Sequence, residues 1–256
     1  MSNLSEAFSK RKALITFITA GDPTLAQTEK LVLALEKAGA DIIELGIPFS
    51  DPLADGPVIQ AAHQRALKNH VSLAQVFALA KNLRKKTQIP LCFMLSYNLV
   101  VQYGTDRFYA DADKRGIDGV IIPDLPPEES RGQGIGGRGQ SIFLVAPTSS
   151  DERIKLAVEN SSGFVYLIST TGITGKRSQL SKELPSLVNR VKRFTNLPVA
   201  IGFGISTPAQ AAEAARYADG VIVGSAIVDL IGQKKYGAAV KLAAAMRKAM
   251  DKLTPC

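Results

Sequence analysis

The chain has 256 residues, a formal net charge of +8, and 46% hydrophobic against 21% charged residues, the size of one (β/α)8 barrel and an ordinary globular composition. It has no apolar run of membrane-spanning length, the polar start Met1–Lys12 lacks the apolar core of a secretion signal, and its two cysteines, Cys92 and Cys256, offer neither a disulfide framework nor metal-ligand spacing; a cytoplasmic protein without a bound metal is expected. Lysines and arginines fall at helical spacings (Lys81, Arg84, Lys85; Lys241, Arg247, Lys248) without interleaved aromatics, so the charge reads as solvated helix faces that help attract an anionic substrate, and neither nucleic acid nor a membrane is expected as partner.

Along the chain, apolar strand-like runs alternate with amphipathic helical stretches. The first strand is expected at Ala13–Thr19 and its helix at Leu25–Ala38. A second strand, Asp41–Gly46, precedes helix Val58–Lys68 and an additional helix, Leu73–Thr87. The third and fourth strands, Pro90–Ser96 and Gly119–Ile122, are separated by helix Thr105–Arg115. Strand Ile142–Ala146 leads into helix Ser150–Asn160, strand Phe164–Ile168 into Leu180–Thr195, and strand Pro198–Gly202 into Pro208–Ala218. The eighth strand, Gly220–Val223, is followed by a short helical segment from Ser225 and a last helix, Tyr236–Lys252. Eight β-then-α units with right-handed crossovers close a parallel sheet, so the fold class is α/β, a single TIM-barrel domain over 1–256 with extra helices. The crossover between strands four and five is unusual. It carries five glycines between Gly132 and Gly139, a poor helix with little apolar surface, and it reads as a surface connection with the least ordered backbone of that region.

Function in such a barrel sits at the C-terminal strand ends and the loops that follow. The second strand carries an unexpected acid, Glu44, and its loop, Pro48–Pro57, carries Asp51 and Asp55. An ionised carboxylate in an apolar strand is costly unless paired or used, so Glu44 and Asp55 are either acid/base groups or a structural ion pair. Three glycine-rich turns, Thr170–Gly175, Gly202–Ser206 and Gly224–Ala226, follow the last three strands. The last two, with Ser225 opening a helix, suit a phosphate held by backbone N–H groups.

The run Glu44-Leu-Gly-Ile-Pro-Phe-Ser-Asp-Pro-Leu-Ala-Asp-Gly-Pro57, with Thr171-Gly-Ile-Thr-Gly175, Gly202-Phe-Gly-Ile-Ser206 and Gly224-Ser-Ala-Ile-Val228 in that order, resembles the tryptophan synthase alpha subunit over essentially the whole chain. The resemblance implies a retro-aldol cleavage of indole-3-glycerol phosphate to indole and glyceraldehyde 3-phosphate, without a cofactor. It implies that Glu44 protonates indole C3 and takes the glycerol hydroxyl proton, and that Asp55 stabilises positive charge at the indole nitrogen. It assigns Phe17, Ile59 and Ile222 to the pocket wall, Tyr166 and Thr174 to the site, and Gly175, Gly202, Gly204, Gly224 and Ser225 to the phosphate. It further implies an alpha2beta2 complex in which a beta subunit using pyridoxal phosphate receives the indole, with Pro48, Asp51, Pro52 and Thr174–Arg177 at the contact. Ser96 departs from the family, which often carries a tyrosine there. His63 and His70 match no family site and are expected to face solvent or cap a helix.

Two other readings remain. An isomerase on the same fold would want paired aspartates ending strands one and five; strand one offers Asp22, but strand five ends in Ala146-Pro-Thr148, and a synthase would want a strand lysine that is missing. A non-catalytic activator of a beta-type partner would be expected to lose Glu44 or Asp55.

Overall fold

The computed structural model describes residues 3–52, 55–130, 140–168, 184–202 and 204–252. Its strands are β1 (Ala13–Thr19), β2 (Ile42–Gly46), β3 (Leu91–Met94), β4 (Gly119–Ile121), β5 (Gln140–Ile142), β6 (Leu144–Val145), β7 (Val165–Ile168), β8 (Val199–Gly202) and β9 (Gly220–Val223). All pairings are parallel, in the order β5-β4-β3-β2-β1-β9-β8-β7-β6. The two end strands are consecutive in sequence and flank Phe143. The expected fifth strand is therefore in two pieces, one paired to β4 and one to β7, and together they close the barrel.

Phe143 is where the ladder breaks. Its N–H donates to the Ser161 hydroxyl at 3.2 Å, while its carbonyl accepts from Tyr166 N–H at 3.1 Å. The backbone groups stay satisfied although the strand does not run through.

Side chains alternate across the wall, as the two-residue period of a strand requires. Ile15, Ile42, Cys92, Ile121, Ile142 and Ile222 pack inside the barrel. Their neighbours Leu14, Ile43, Phe93, Val120 and Val221 pack outward against the helices. This double burial is why the strands read as continuous apolar runs.

The helices are α1 (Asn3–Ser9), α2 (Leu25–Lys37), α3 (Pro57–Leu67), α4 (Leu73–Leu83), α5 (Tyr97–Tyr103), α6 (Thr105–Lys114), α7 (Asp151–Asn160), α8 (Leu184–Lys192), α9 (Pro208–Tyr217), α10 (Ser225–Gly232) and α11 (Tyr236–Asp251). Local signals explain several starts. Capping boxes open α4 (Ser72 with Gln75) and α9 (Thr207 with Gln210), and Pro57 and Pro208 occupy first-turn positions where a missing N–H costs nothing. α4 is the additional helix expected between the second and third strands.

Two helices lie outside the elements expected from the sequence. α1 closes the N-terminal end of the barrel: Leu4 is fully buried in the inner cluster, and the Phe8 ring lies 5.4 Å from that of Phe164. Gly220 allows the close approach, since a Cβ there would lie 2.8 Å from the Phe8 ring. α5 takes over where the third strand was expected to run on. The strand ends at Met94, and the Ser96 hydroxyl accepts from Asn98 N–H as N-cap. The glycine-rich crossover, 131–139, lies outside the described residues, as do residues 180–183 of the expected sixth helix.

Candidate active site

Glu44 sits in the middle of β2, in register with Phe17 on β1 and Cys92 on β3. It alternates with the outward Ile43 and Leu45, so it shares the inner face with Ile42 and Gly46. Its side chain is completely buried, and neither carboxyl oxygen has a hydrogen-bond partner among the described residues. Burial alone pushes its pKa up to about 8. A charged carboxylate is strongly disfavoured without partners, so the group is a protonated acid at neutral pH. The structural ion pair left open by the sequence is therefore not formed by Glu44 among the described residues.

Above it, at the C-terminal end of the barrel, a cavity of about 260 Å³ opens. Phe17, Gly46, Phe49, Asp55, His63 and Met94 line it, with Ser96 and Asp124 at another edge. Gly46, two residues beyond Glu44, forms part of the floor. A Cβ at that position would fall 2.4 Å from the Phe17 ring, so glycine lets the aromatic ring lie across the wall. Glu44 itself is beneath this floor.

Asp55 enters the cavity from the loop after β2. Its N–H donates to the Pro52 carbonyl at 3.0 Å, and its carbonyl accepts from the Gln60 side chain at 2.8 Å. Its Oδ2 lies 3.1 Å from Nε2 of His63. His63 thus corrects the expectation of a solvent-facing or capping residue: it is 4% exposed, lines the cavity and contacts Asp55. The signal was in the sequence, because Ile59, Ala62, His63 and Ala66 form the buried face of α3 at helical spacing. His70, by contrast, is exposed.

Tyr166 on β7 is buried, and its hydroxyl pKa is driven well up, first by burial, then by the charges of Glu44 and Asp55. Tyr166 is therefore within electrostatic reach of both carboxyl groups. A Cβ at Gly202 would lie 2.5 Å from the Tyr166 hydroxyl, so that glycine makes room for the tyrosine.

The other expected site residues fall as follows. Ile59 shares an apolar cluster with Phe17 and Val228 behind the cavity, and Ile222 lies in the barrel interior. Gly204 has φ of 79°, a conformation glycine adopts without strain. Gly224 precedes α10 as its N-cap and Ser225 is the first helical residue, both half-buried, so the first N–H groups of the helix, which have no intrahelical partner, follow directly on the C-terminal end of β9. Thr174, Gly175 and the segment 174–177 lie outside the described residues. Of the expected partner contacts, Asp51 is exposed, Pro52 half-buried and Pro48 buried. Ser96 donates to Asp124 Oδ2 at 2.6 Å.

Asp22, which an isomerase would use, makes a two-pronged pair with Arg65 at 2.8 and 2.7 Å, tying the first loop to α3. Among the described residues, no cluster of His, Cys, Asp or Glu could hold a metal ion, and no helix is long and apolar enough to cross a membrane.

This architecture has close counterparts. A family model for the tryptophan synthase alpha chain matches residues 4–254. The tryptophan synthase alpha chain of Geotalea daltonii is 51% identical over 225 residues, covering 87% of this chain and 85% of that one. That of Thermoanaerobacter sp. is 50% identical over 226 residues, covering 87% and 86%. Among solved structures, Mycobacterium tuberculosis tryptophan synthase superposes with a TM-score of 0.91 at 38% identity, covering 99% of both chains. The alpha subunit from Legionella pneumophila gives 0.86 at 37% identity, covering 99% and 100%. A match along nearly the full length, joined to a barrel with a buried acid beneath its C-terminal cavity, means that this chain belongs to the tryptophan synthase alpha chain family.

Proposed function

We propose that Glu44 and Asp55 carry out the family's lyase reaction, the cleavage of indole-3-glycerol phosphate into indole and glyceraldehyde 3-phosphate. The observation that supports this most is Glu44: a fully buried carboxyl, unpartnered and held protonated below a cavity that contains a second carboxylate. Indole leaves poorly as a carbanion, so C3 must be protonated first. Glu44 donates its proton there, its side chain turning from below Gly46 toward the bound substrate. The positive charge that develops at the ring nitrogen is stabilised by Asp55. The carbon–carbon bond then breaks as the carboxylate of Glu44 takes the proton of the adjacent glycerol hydroxyl, which becomes the aldehyde. Glu44 ends as it began, and no proton is gained or lost overall.

Phe17 provides an apolar wall for the indole, with Ile59 and Ile222 behind and below it, and Tyr166 lies within electrostatic reach of Glu44. The phosphate binds at the start of α10, at Gly224 and Ser225, where the first N–H groups of a helix have no intrahelical partner, together with Gly202, Gly204, Thr174 and Gly175. Tryptophan synthase alpha chains work with a beta subunit. For this chain the assembly is an alpha2beta2 complex in the cytoplasm, with Asp51, Pro52, Pro48 and the segment 174–177 at the contact. The chain acts as one domain over 1–256. The test is to incubate the purified chain with indole-3-glycerol phosphate. Indole and glyceraldehyde 3-phosphate are expected in equal amounts; release of neither, with or without a beta subunit, would refute the activity.

A further inference from the structure

We infer that His63 is a positioning residue: it clips the loop after β2 at both ends and aims the carboxylate of Asp55 into the cavity. This rests on the reading of Asp55 as the group that stabilises charge on the substrate nitrogen.

The geometry is specific. The imidazole is almost fully buried on α3, a helix tied to the first loop by the Asp22–Arg65 pair. Its Nδ1 lies 3.1 Å from the backbone N of Phe49, and its Nε2 lies 3.1 Å from Asp55 Oδ2. A backbone N–H can only donate, so Nδ1 must be the unprotonated acceptor. The single proton of the neutral ring is then on Nε2, where it is donated to Asp55. One side chain thus reads two points of the loop six residues apart, Phe49 near its start and Asp55 near its end.

The consequence for chemistry is directional. With Oδ2 engaged by His63, Oδ1 of Asp55 is the oxygen left for a donor in the cavity. The backbone bonds to Pro52 and Gln60 fix where Asp55 stands, while His63 fixes how its carboxylate is turned. A carboxylate that must meet a ring N–H in a developing cation is sensitive to such turning, because small misplacements of a catalytic group cost about 10²-fold.

The experiment compares Asp55→Asn, His63→Leu, His63→Gln and the double variant His63→Leu/Asp55→Asn, reading kcat and KM for indole release and thermal melting for the fold. His63→Leu should lower kcat by roughly 10–100-fold with KM nearly unchanged. His63→Gln keeps an N–H donor at the outer position and should restore most of the loss. In the Asp55→Asn background, His63→Leu should change kcat by less than about 2-fold, since it acts only through Asp55. Near-normal kcat in His63→Leu, or losses that multiply in the double variant, would overturn the inference. Near-normal turnover in Asp55→Asn would instead sink the underlying reading of Asp55. Should His63→Leu fail to fold, the intact protein still decides. The chain has two histidines, so ¹⁵N-histidine labelling gives two rings to observe. The buried ring should be the Nε2–H tautomer and should respond when an indole-alkyl phosphate binds. An Nδ1–H tautomer there, or no response to the ligand, would contradict the assignment.

Discussion

A carboxylic acid with no partner at the centre of a barrel is a thermodynamic burden, and its sign can be worked out. Glu44 has a folded-state pKa of about 8 against 4.5 for a free glutamate side chain. Between these values the folded chain holds a proton that the unfolded chain has released. Stability therefore falls as pH rises through this window, by at most about 1.4 kcal/mol per pH unit, and levels off above it. Glu44→Gln removes that slope. Urea melts of both proteins from pH 5 to 9 should show the variant gaining steadily on the parent up to about pH 8. Parallel stability curves would show that the acid is not held neutral by burial. The sequence exposed this residue because an acid stood in an apolar run. It did not disclose that the acid lacks a partner, since pairing depends on side chains brought together from other strands. His63 is the converse case. Its type suggested solvent, while its position, four residues from Ile59 on the buried face of α3, had already settled its direction.

At the scale of elements, the strands were legible because both faces of each are buried and the apolar runs are bounded by Gly, Pro and Asp. The break at Phe143 was hidden within one such run, Ile142–Ala146, because nothing in the residue types marks where a ladder changes partners. α1 was obscured by its charged flanks, although Leu4, Ala7 and Phe8 carry the helical spacing of its inner face. Since Leu4 is fully buried in the inner cluster, Leu4→Ala should cost about 2–4 kcal/mol. Cleavage per folded molecule should hold, because α1 closes the opposite end of the barrel from the cavity. A loss below about 0.5 kcal/mol in chemical denaturation would show that the helix does not seal the core. α10 offers a cleaner test of the phosphate site. Gly224 has φ of −113°, and an added Cβ would meet only Phe17 at an ordinary 3.5 Å, so the backbone tolerates a side chain there. Gly224→Asp should thus fold normally, yet raise KM at least about 10-fold by placing a negative charge at the helix N-terminus. An unchanged KM would move the phosphate elsewhere.

For the whole molecule, the barrel gathers the acid, the second carboxylate and the glycines at 202, 204 and 224 at one end, and the loop bearing Asp51 rises at that same end. A partner docked there both covers the cavity and contacts the loop that holds Asp55. Adding a matching beta subunit should therefore raise the cleavage rate, and an indole-alkyl phosphate in the cavity should tighten the complex by the same coupling. Rates and affinities unaffected by each other would mean that the two subunits meet elsewhere. The central claim is the proton that Glu44 carries, and the most direct measurement is kcat for indole release from pH 6 to 9.5 by the parent and by Glu44→Gln. The parent rate should fall as pH rises through about 8, where the acid form is lost. The variant should be slower by roughly 10²–10⁴-fold at every pH while still binding the phosphate analogue. A Glu44→Gln protein that releases indole within a few-fold of the parent, with the same pH profile, would contradict the account.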